Sequence, residues 1–189
     1  MLGQQFAGIN SIIFYGVKIL NGMFPEASIL INCMVSVSNM VITLIASLFL
    51  DRLGRIPLLL TSLGLMGFAS VGLSVGVLFD NSALTVLSIF SYVGSFAIGC
   101  GPIPFLYVSE VSQIEVKDLA QSWATDCNWA SVFVIGSIFP PLNAWIGGYT
   151  YFLFAGVCFL FFAYAKVSFP ETKGKQTYAD VWKHYDRDD

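Results

Sequence analysis

Six long apolar runs, separated by short polar segments, make up most of this 189-residue chain. The runs cover about residues 1–23, 27–50, 57–79, 83–108, 119–140 and 147–169. A helix of about 20 apolar residues spans the hydrocarbon core of a bilayer, so each run is long enough for one crossing. The pattern predicts an all-α membrane protein, with six transmembrane helices in a domain of residues 1–169 and a cytoplasmic tail of residues 170–189.

Polar residues, glycine and proline mark the turns between these runs. The predicted breaks lie at residues 22–26, 51–55, 80–82, 109–118 and 141–145. Two runs also carry interruptions of their own: Gly8 and Gly16 in the first run, and Gly101, Pro102 and Pro104 in the fourth. Each interrupted run opens a group of three, which predicts two inverted three-helix repeats with a binding site at the broken helices. Glycine and proline that serve packing alone are the alternative for either break.

The basic residues predict the orientation in the membrane. Only Lys18 falls on one side, whereas the other eight lie in or beside the second break, the fourth break and the tail: Arg52, Arg55, Lys117, Lys166, Lys173, Lys175, Lys183 and Arg187. Lysine and arginine concentrate in cytoplasmic loops, so we expect both termini in the cytoplasm. The membrane is then the plasma membrane or an internal one, vacuolar or endosomal.

Composition agrees with a multi-pass protein embedded in a lipid bilayer. Hydrophobic residues make up 56% of the chain, charged residues 11%, and the mean hydropathy is +0.74. The net charge of -3 argues against nucleic acid as a partner. The four cysteines form no CxxC pair and the chain has one histidine, so we expect no metal site, no cofactor and no enzyme.

Carboxamides in the first run are the main candidates for ligand binding. Gln4, Gln5 and Asn10 lie in a run otherwise apolar enough to cross a membrane. Unpaired amide groups in hydrocarbon cost several kcal/mol, so these side chains must face protein or a wet cavity. Amides both donate and accept hydrogen bonds, which suits a ligand rich in hydroxyl groups.

Four motifs, in this order and spacing, give the chain a family resemblance: QQFAGIN at residues 4–10, DRLGR at 51–55, GPIPF at 101–105 and PETKG at 170–174. The chain resembles the C-terminal six-helix half of the sugar porter family in the major facilitator superfamily. The resemblance implies transport of a monosaccharide of the hexose type by alternating access. It also implies that the missing N-terminal six-helix half, or a second chain, completes the transporter.

The resemblance also implies the roles of individual residues. The substrate-binding residues would be Gln4, Gln5, Asn10, Asn39, Phe96, Asn128 and Trp129. Phe14 and Tyr15 stand where the family carries two tyrosines of the outer gate, and Phe14 lacks the hydroxyl. For Asn39, hydrogen bonding between helices is the alternative.

Charged residues on the cytoplasmic side resemble the family's inner salt-bridge network, which holds the outward-open state. These residues are Asp51, Arg52, Arg55, Glu110, Lys117 and Glu171. The alternative is a set of solvated charges, each pair contributing about 0–1 kcal/mol.

Two further features stay outside this scheme. Asp126 lies about 200° around a helix from Asn128, so we expect it to serve a structural role or a cytoplasmic partner and not proton coupling. In the tail, Tyr178, Val181, Trp182 and Tyr185 recur at helical spacing, which predicts a short amphipathic interfacial helix or, alternatively, a frayed end.

The alternative to transport as the function is a non-transporting sugar sensor or regulatory subunit.

Overall fold

The computed structural model describes residues 1–22, 25–175 and 178–182, without the side chains of Val17, Asp51 and Ala179. The part described is helical. The helices are α1 (Leu2–Phe6), α2 (Ile9–Asn21), α3 (Ser28–Leu53), α4 (Arg55–Leu78), α5 (Ser82–Ser95), α6 (Ile103–Val111), α7 (Lys117–Ile146), α8 (Thr150–Ser168) and α9 (Tyr178–Trp182). A π-helical turn (Phe96–Cys100) follows α5, and 3₁₀ turns (Ile114–Val116 and Gly147–Tyr149) flank α7.

Four helical segments are long and apolar enough to cross a membrane within the described ranges: Ser28–Leu50, Arg55–Leu78, Ser82–Val111 and Ile114–Ser168. The last of these has 55 residues and contains both α7 and α8. Helix α2, at 13 residues, is shorter than a full crossing. The chain is therefore a helical integral membrane protein, and six crossings in two repeats stay a prediction.

The first run is broken at Gly8 and continuous at Gly16. Gly8 has φ +95°, which separates α1 from α2. The prediction that Gly16 also interrupts this run is wrong, because α2 passes through it as regular helix. A Cβ at Gly16 would lie 2.7 Å from Asn32 Oδ1 on α3, so glycine here permits close helix approach and not a break.

Proline does not end α7 where the sequence predicted a break. The helix contains Pro140 and Pro141 and continues to Ile146, so the break expected at residues 141–145 is wrong. The chain turns instead at Gly147, whose φ is +56°. Membrane helices tolerate proline because neighbouring groups satisfy the backbone that proline leaves unbonded.

Two other turns, those predicted at residues 51–55 and 109–118, are narrower than predicted. Helix α3 runs through to Leu53 and α4 begins at Arg55, which leaves Gly54 with φ +95° as the whole connection. Helix α6 likewise extends to Val111 before the 3₁₀ turn that leads into α7. The charged residues at both turns are therefore held on helix ends and not on mobile loops.

Helix α4 lies at the centre of the bundle and packs along α5 and α8. Leu63, Met66 and Leu73 are fully buried there. Two serines of α4 form hydrogen bonds with the backbone around the beginning of α8. Ser70 donates to the Tyr151 carbonyl at 2.7 Å, and Ser74 donates to the Gly148 carbonyl at 2.8 Å. This fixed frame holds the broken helices that carry the candidate site.

Candidate functional site

Three carboxamides from three parts of the chain form one hydrogen-bonded chain. Gln5 Nε2 donates to Asn128 Oδ1 at 2.8 Å, and Asn10 Nδ2 donates to Gln5 Oε1. The break at Gly8 lets α1 and α2 present Gln5 and Asn10 to the same region of α7. Gln5 and Asn128 are buried and Asn10 is half-buried, so the Asn10 end of the network is the more exposed one.

Gln4 extends this polar region towards the second broken helix. Its Nε2 donates to the Gly101 carbonyl at 3.4 Å. Its Oε1 is buried and accepts no hydrogen bond within the described residues. Because a buried acceptor without a donor costs free energy, Gln4 Oε1 is a ready acceptor for a ligand hydroxyl or a water molecule.

The second break is built by the π-helical turn and by Ser62 of α4. The Gly101 N–H bonds to the Phe96 carbonyl at 2.8 Å, and Pro102 leads into α6 with Pro104 buried in its first turn. Ser62 Oγ donates to the Ser95 carbonyl at 2.7 Å and accepts from the Cys100 N–H at 2.9 Å. Ser62 thus hydrogen-bonds backbone groups at both ends of the irregular turn.

Two residues that the sequence did not single out, Ser62 and Tyr92, support the two breaks. Tyr92 is fully buried, and its hydroxyl donates to the Ala7 carbonyl at 2.6 Å, beside the first break. A serine and a tyrosine in apolar runs carry no distinctive sequence signal. Their partners are known only once α4 and α5 are packed against the broken helices.

The other predicted binding residues do not join the carboxamide chain. Asn39 Oδ1 accepts from Thr43 Oγ1 at 3.2 Å on the same helix, and Asn39 lines a separate cavity of about 90 Å³ with Asn32 and Ser36. Trp129 is 65% exposed although its neighbour Asn128 is buried. Phe96 is half-buried in the π-helical turn.

The two predicted gate residues, Phe14 and Tyr15, differ in their exposure to solvent. Phe14 is exposed, whereas Tyr15 is half-buried against α7. The Tyr15 hydroxyl donates to the Gly136 carbonyl at 3.1 Å, and its ring centroid lies 5.1 Å from that of Phe139. Phe14 therefore has a free face, while Tyr15 is attached to a neighbouring helix.

On the side predicted to be cytoplasmic, Arg55 and Glu110 form an ion pair between α4 and α6. Arg55 Nη2 lies 2.9 Å from Glu110 Oε1, and Arg55 Nε donates to the same oxygen at 3.1 Å. The Thr172 hydroxyl donates to Glu110 Oε2. Both charged side chains are mostly shielded from solvent, with 15% and 27% exposed, so this pair contributes more than a surface ion pair does.

Glu171 acts as a cap and not as a second ion pair in this arrangement. Its carboxylate accepts from the N–H groups of Arg55 and Ile56, each at 2.9 Å, at the beginning of α4. The same carboxylate accepts from the N–H groups of Thr172 and Lys173. An anion at a helix N-terminus satisfies unpaired donors and interacts favourably with the helix dipole.

Arg52 and Lys117 are not brought to this pair among the described contacts. Arg52 contributes its carbonyl, which accepts from Lys173 Nζ, and its side chain is exposed. Lys117 is exposed and makes no hydrogen bond or ion pair within the described part of the chain. The Asp51 side chain lies outside the described residues.

Asp126 and the tail lie apart from both sites. Asp126 is exposed on α7 while Asn128 is buried, as their angular separation on a helix requires. In the tail, α9 packs on the end of α6: Trp182 Nε1 donates to the Val111 carbonyl at 3.2 Å, and Val181 is buried. Tyr185 lies outside the described residues, and an interfacial position for α9 stays a prediction.

Many transporter folds use broken helices that meet near the middle of a helical membrane bundle, and this chain has two such breaks. The chain belongs to the sugar transporter family: the family model described as "Sugar (and other) transporter" matches residues 1–181.

Similar proteins include transporters of several organisms. A probable metabolite transport protein of Saccharomyces cerevisiae is 46% identical over 182 residues, which cover 96% of this chain and 37% of that protein. The human solute carrier family 2, facilitated glucose transporter member 7, is 35% identical over 96% of this chain and 36% of its own length. The inward-open xylose transporter XylE from E. coli superimposes with a TM-score of 0.84 at 25% identity, over 97% of this chain and 39% of that one.

The chain thus spans between a third and two fifths of the length of these relatives.

Proposed function

We propose that this chain is the C-terminal six-helix half of a transporter that moves a monosaccharide of the hexose type across a membrane by alternating access. The observation that carries the proposal is the hydrogen-bonded chain of Asn10, Gln5 and Asn128. Neutral amides bind hydroxyl groups in both directions of hydrogen bonding and attract no competing ions. The facilitated glucose transporter and the xylose transporter among the similar proteins support a sugar as the solute.

The sugar site is proposed to lie where the carboxamide chain opens to the exposed face of α7. Asn10 and the unpartnered Gln4 Oε1 provide hydrogen-bonding groups, and the exposed Trp129 ring provides an apolar surface for the C–H face of a sugar. Phe96 and Asn39 would complete the lining when the protein changes state. The facing wall comes from an N-terminal six-helix half or from a second chain.

Alternating access then requires contacts that form in one state and break in another. The Arg55–Glu110 pair, held by Thr172, is proposed as the inner latch, with both termini in the cytoplasm. Phe14 and Tyr15 are proposed as the outer gate. No bond in the sugar is made or broken, and the free energy comes from the solute gradient or, in a proton-linked transporter, also from a proton gradient.

The test is binding and counterflow of radiolabelled hexose in vesicles that carry the protein as cells assemble it. We expect Asn10→Ala to weaken sugar binding while expression and assembly remain unchanged. Asn143→Ala, which removes a half-buried carboxamide further along α7, is the matched control and should retain wild-type binding.

Equal affinity in the wild type and the Asn10→Ala variant would remove Asn10 from the site. Binding without counterflow would favour the rival function, a sugar sensor or regulatory subunit. Absence of any hexose binding would contradict both functions.

A further inference from the structure

A proline inside α7 leaves one backbone carbonyl without its helical donor. In an α-helix the N–H of residue 140 would bond to the carbonyl of residue 136, but Pro140 has no N–H. The Gly136 carbonyl is therefore open to another partner. A Cβ built on Gly136 meets nothing within 4 Å, so the space beside this residue is open.

The group that occupies this carbonyl comes from α2. Tyr15 donates its hydroxyl proton to the Gly136 carbonyl at 3.1 Å, across 121 residues of sequence. The Tyr15 ring also packs on Phe139, which precedes Pro140 and is itself buried. A proline-containing helix turn, an unbonded carbonyl and an aromatic ring thus meet at one point between α2 and α7.

We propose that Pro140 is a positioning residue for the outer gate, because it creates the carbonyl acceptor that anchors the Tyr15 hydroxyl to α7. Calling this element a gate rests on the proposed transport function, whereas the anchor is a property of the folded chain. The outer half of α2 is held to α7 while the hydrogen bond exists and is released when it breaks. The neighbouring Phe14, which is exposed and has no hydroxyl, takes no part in the anchor.

Pro141 provides an internal comparison. It removes the helical donor of the Ser137 carbonyl in the same way, but no side chain donates to that carbonyl among the described residues. The two prolines lie in the same turn of α7, and only Pro140 frees the acceptor that Tyr15 uses. If proline acts only through the shape of the helix, replacing either proline should therefore have an effect. If it acts through the anchor, only replacement of Pro140 should have one.

The experiment measures the separation of the outer ends of α2 and α7 in lipid nanodiscs by pulsed electron paramagnetic resonance. Spin labels are attached to the whole chain through Asn21→Cys and Trp145→Cys, both at exposed positions, with Cys33→Ser and Cys127→Ser to remove the accessible thiols. The measured quantity is the ratio of separated to docked populations. It requires no sugar and no transport.

We expect Tyr15→Phe and Pro140→Ala each to raise this ratio roughly twofold to tenfold, the effect of losing one net hydrogen bond. Alanine in place of Pro140 restores an N–H that competes for the Gly136 carbonyl. In the Tyr15→Phe background, Pro140→Ala should add nothing further, because the two changes remove the same interaction. Pro141→Ala should leave the ratio unchanged.

An unchanged ratio in Tyr15→Phe would overturn the proposal. The proposal would also be overturned if Pro140→Ala raised the ratio equally in the presence and in the absence of the Tyr15 hydroxyl. It would be overturned as well if Pro141→Ala raised the ratio as much as Pro140→Ala does. If Pro140→Ala does not fold, the test is the comparison of Tyr15→Phe with Tyr149→Phe, which removes an exposed hydroxyl from the same end of the bundle. Only Tyr15→Phe should then raise the ratio. Loss of hexose binding with an intact anchor would count against the proposed function alone.

Discussion

At the scale of single residues, the site depends on polar side chains that satisfy one another away from water. Gln5 uses its donor on Asn128 and its acceptor on Asn10, so it is the middle member of the carboxamide chain. Removing the middle member leaves two polar groups without partners. Removing an end member leaves one, and the Asn10 end can be reached by a ligand or by water.

Gln5→Ala should therefore lower the free energy of unfolding by about 1–3 kcal/mol, the cost of leaving buried polar groups unsatisfied. Chemical unfolding in detergent micelles measures the change. Asn39→Ala is the control, since Asn39 is half-buried and bonds only within its own helix in the described contacts. An equal loss in both variants would mean that the carboxamide chain has no special importance for stability.

Gly8 is a second residue whose identity is fixed by its surroundings. Its φ of +95° disfavours any residue with a Cβ, and that Cβ would lie 2.4 Å from Phe154 Cδ2. Gly8→Ala should destabilise the protein by about 2–4 kcal/mol through strain and overpacking. Gly156→Ala on α8, where a Cβ meets nothing within 4 Å, should be nearly neutral in the same thermal-unfolding assay.

At the scale of elements, the irregular turn between α5 and α6 is stabilised by α4 as well as by its own backbone hydrogen bonds. Ser62 supplies one donor and one acceptor to backbone groups of that turn. Proline and glycine make the break possible, and they supply no such side-chain hydrogen bonds. A serine on a neighbouring helix therefore helps to hold the break.

Ser62→Ala should destabilise the protein by about 1–3 kcal/mol and accelerate hydrogen exchange of the Cys100 amide, which loses its acceptor. Native-state exchange followed by mass spectrometry measures both the site and the rate. Thr61→Ala is the control, because the exposed Thr61 hydroxyl donates only to the Pro57 carbonyl of its own helix. Unchanged exchange at Cys100 would contradict the support assigned to Ser62.

At the scale of the whole molecule, the helices packed around α4 support both the ion pair and the carboxamide chain. The pair of Arg55 and Glu110, on the side predicted to be cytoplasmic, joins the beginning of α4 to the end of α6, while the carboxamide chain joins the broken first run to α7. Both groups thus belong to one set of packed helices. If the ion pair is a latch, its loss shifts the balance between states and does not unfold the bundle.

Glu110→Gln should shift the assembled transporter towards its inward-facing state roughly tenfold to hundredfold, since a charge-assisted hydrogen bond contributes about 1.5–3 kcal/mol. Side-specific labelling of a cysteine placed in the cavity measures the balance. Glu115→Gln removes an exposed carboxylate from the adjacent 3₁₀ turn and is the matched control. The same balance in both variants would reduce Glu110 to a solvated charge.

Some features of this fold follow from the sequence because they depend on local chemistry. Apolar runs of membrane-spanning length, Gly8 and the GPIPF segment predict helices and breaks without knowledge of their neighbours. The predictions at Gly16 and Pro141 are wrong because glycine and proline have two uses in membrane helices. Gly16 allows Asn32 of α3 to pack closely against α2, and α7 continues as a helix through its two prolines.

Sequence alone was enough to place this protein in a membrane as helices and to single out the carboxamides of the first run, because unpaired polar groups are costly in hydrocarbon. Which polar residues meet depended on the packed fold. Gln5, Asn10 and Asn128 join, Asn39 stays apart, and Tyr15 finds a carbonyl that a proline has left open. A hydrogen bond needs both partners within about 3 Å, and helix packing alone sets that distance between residues far apart in the chain.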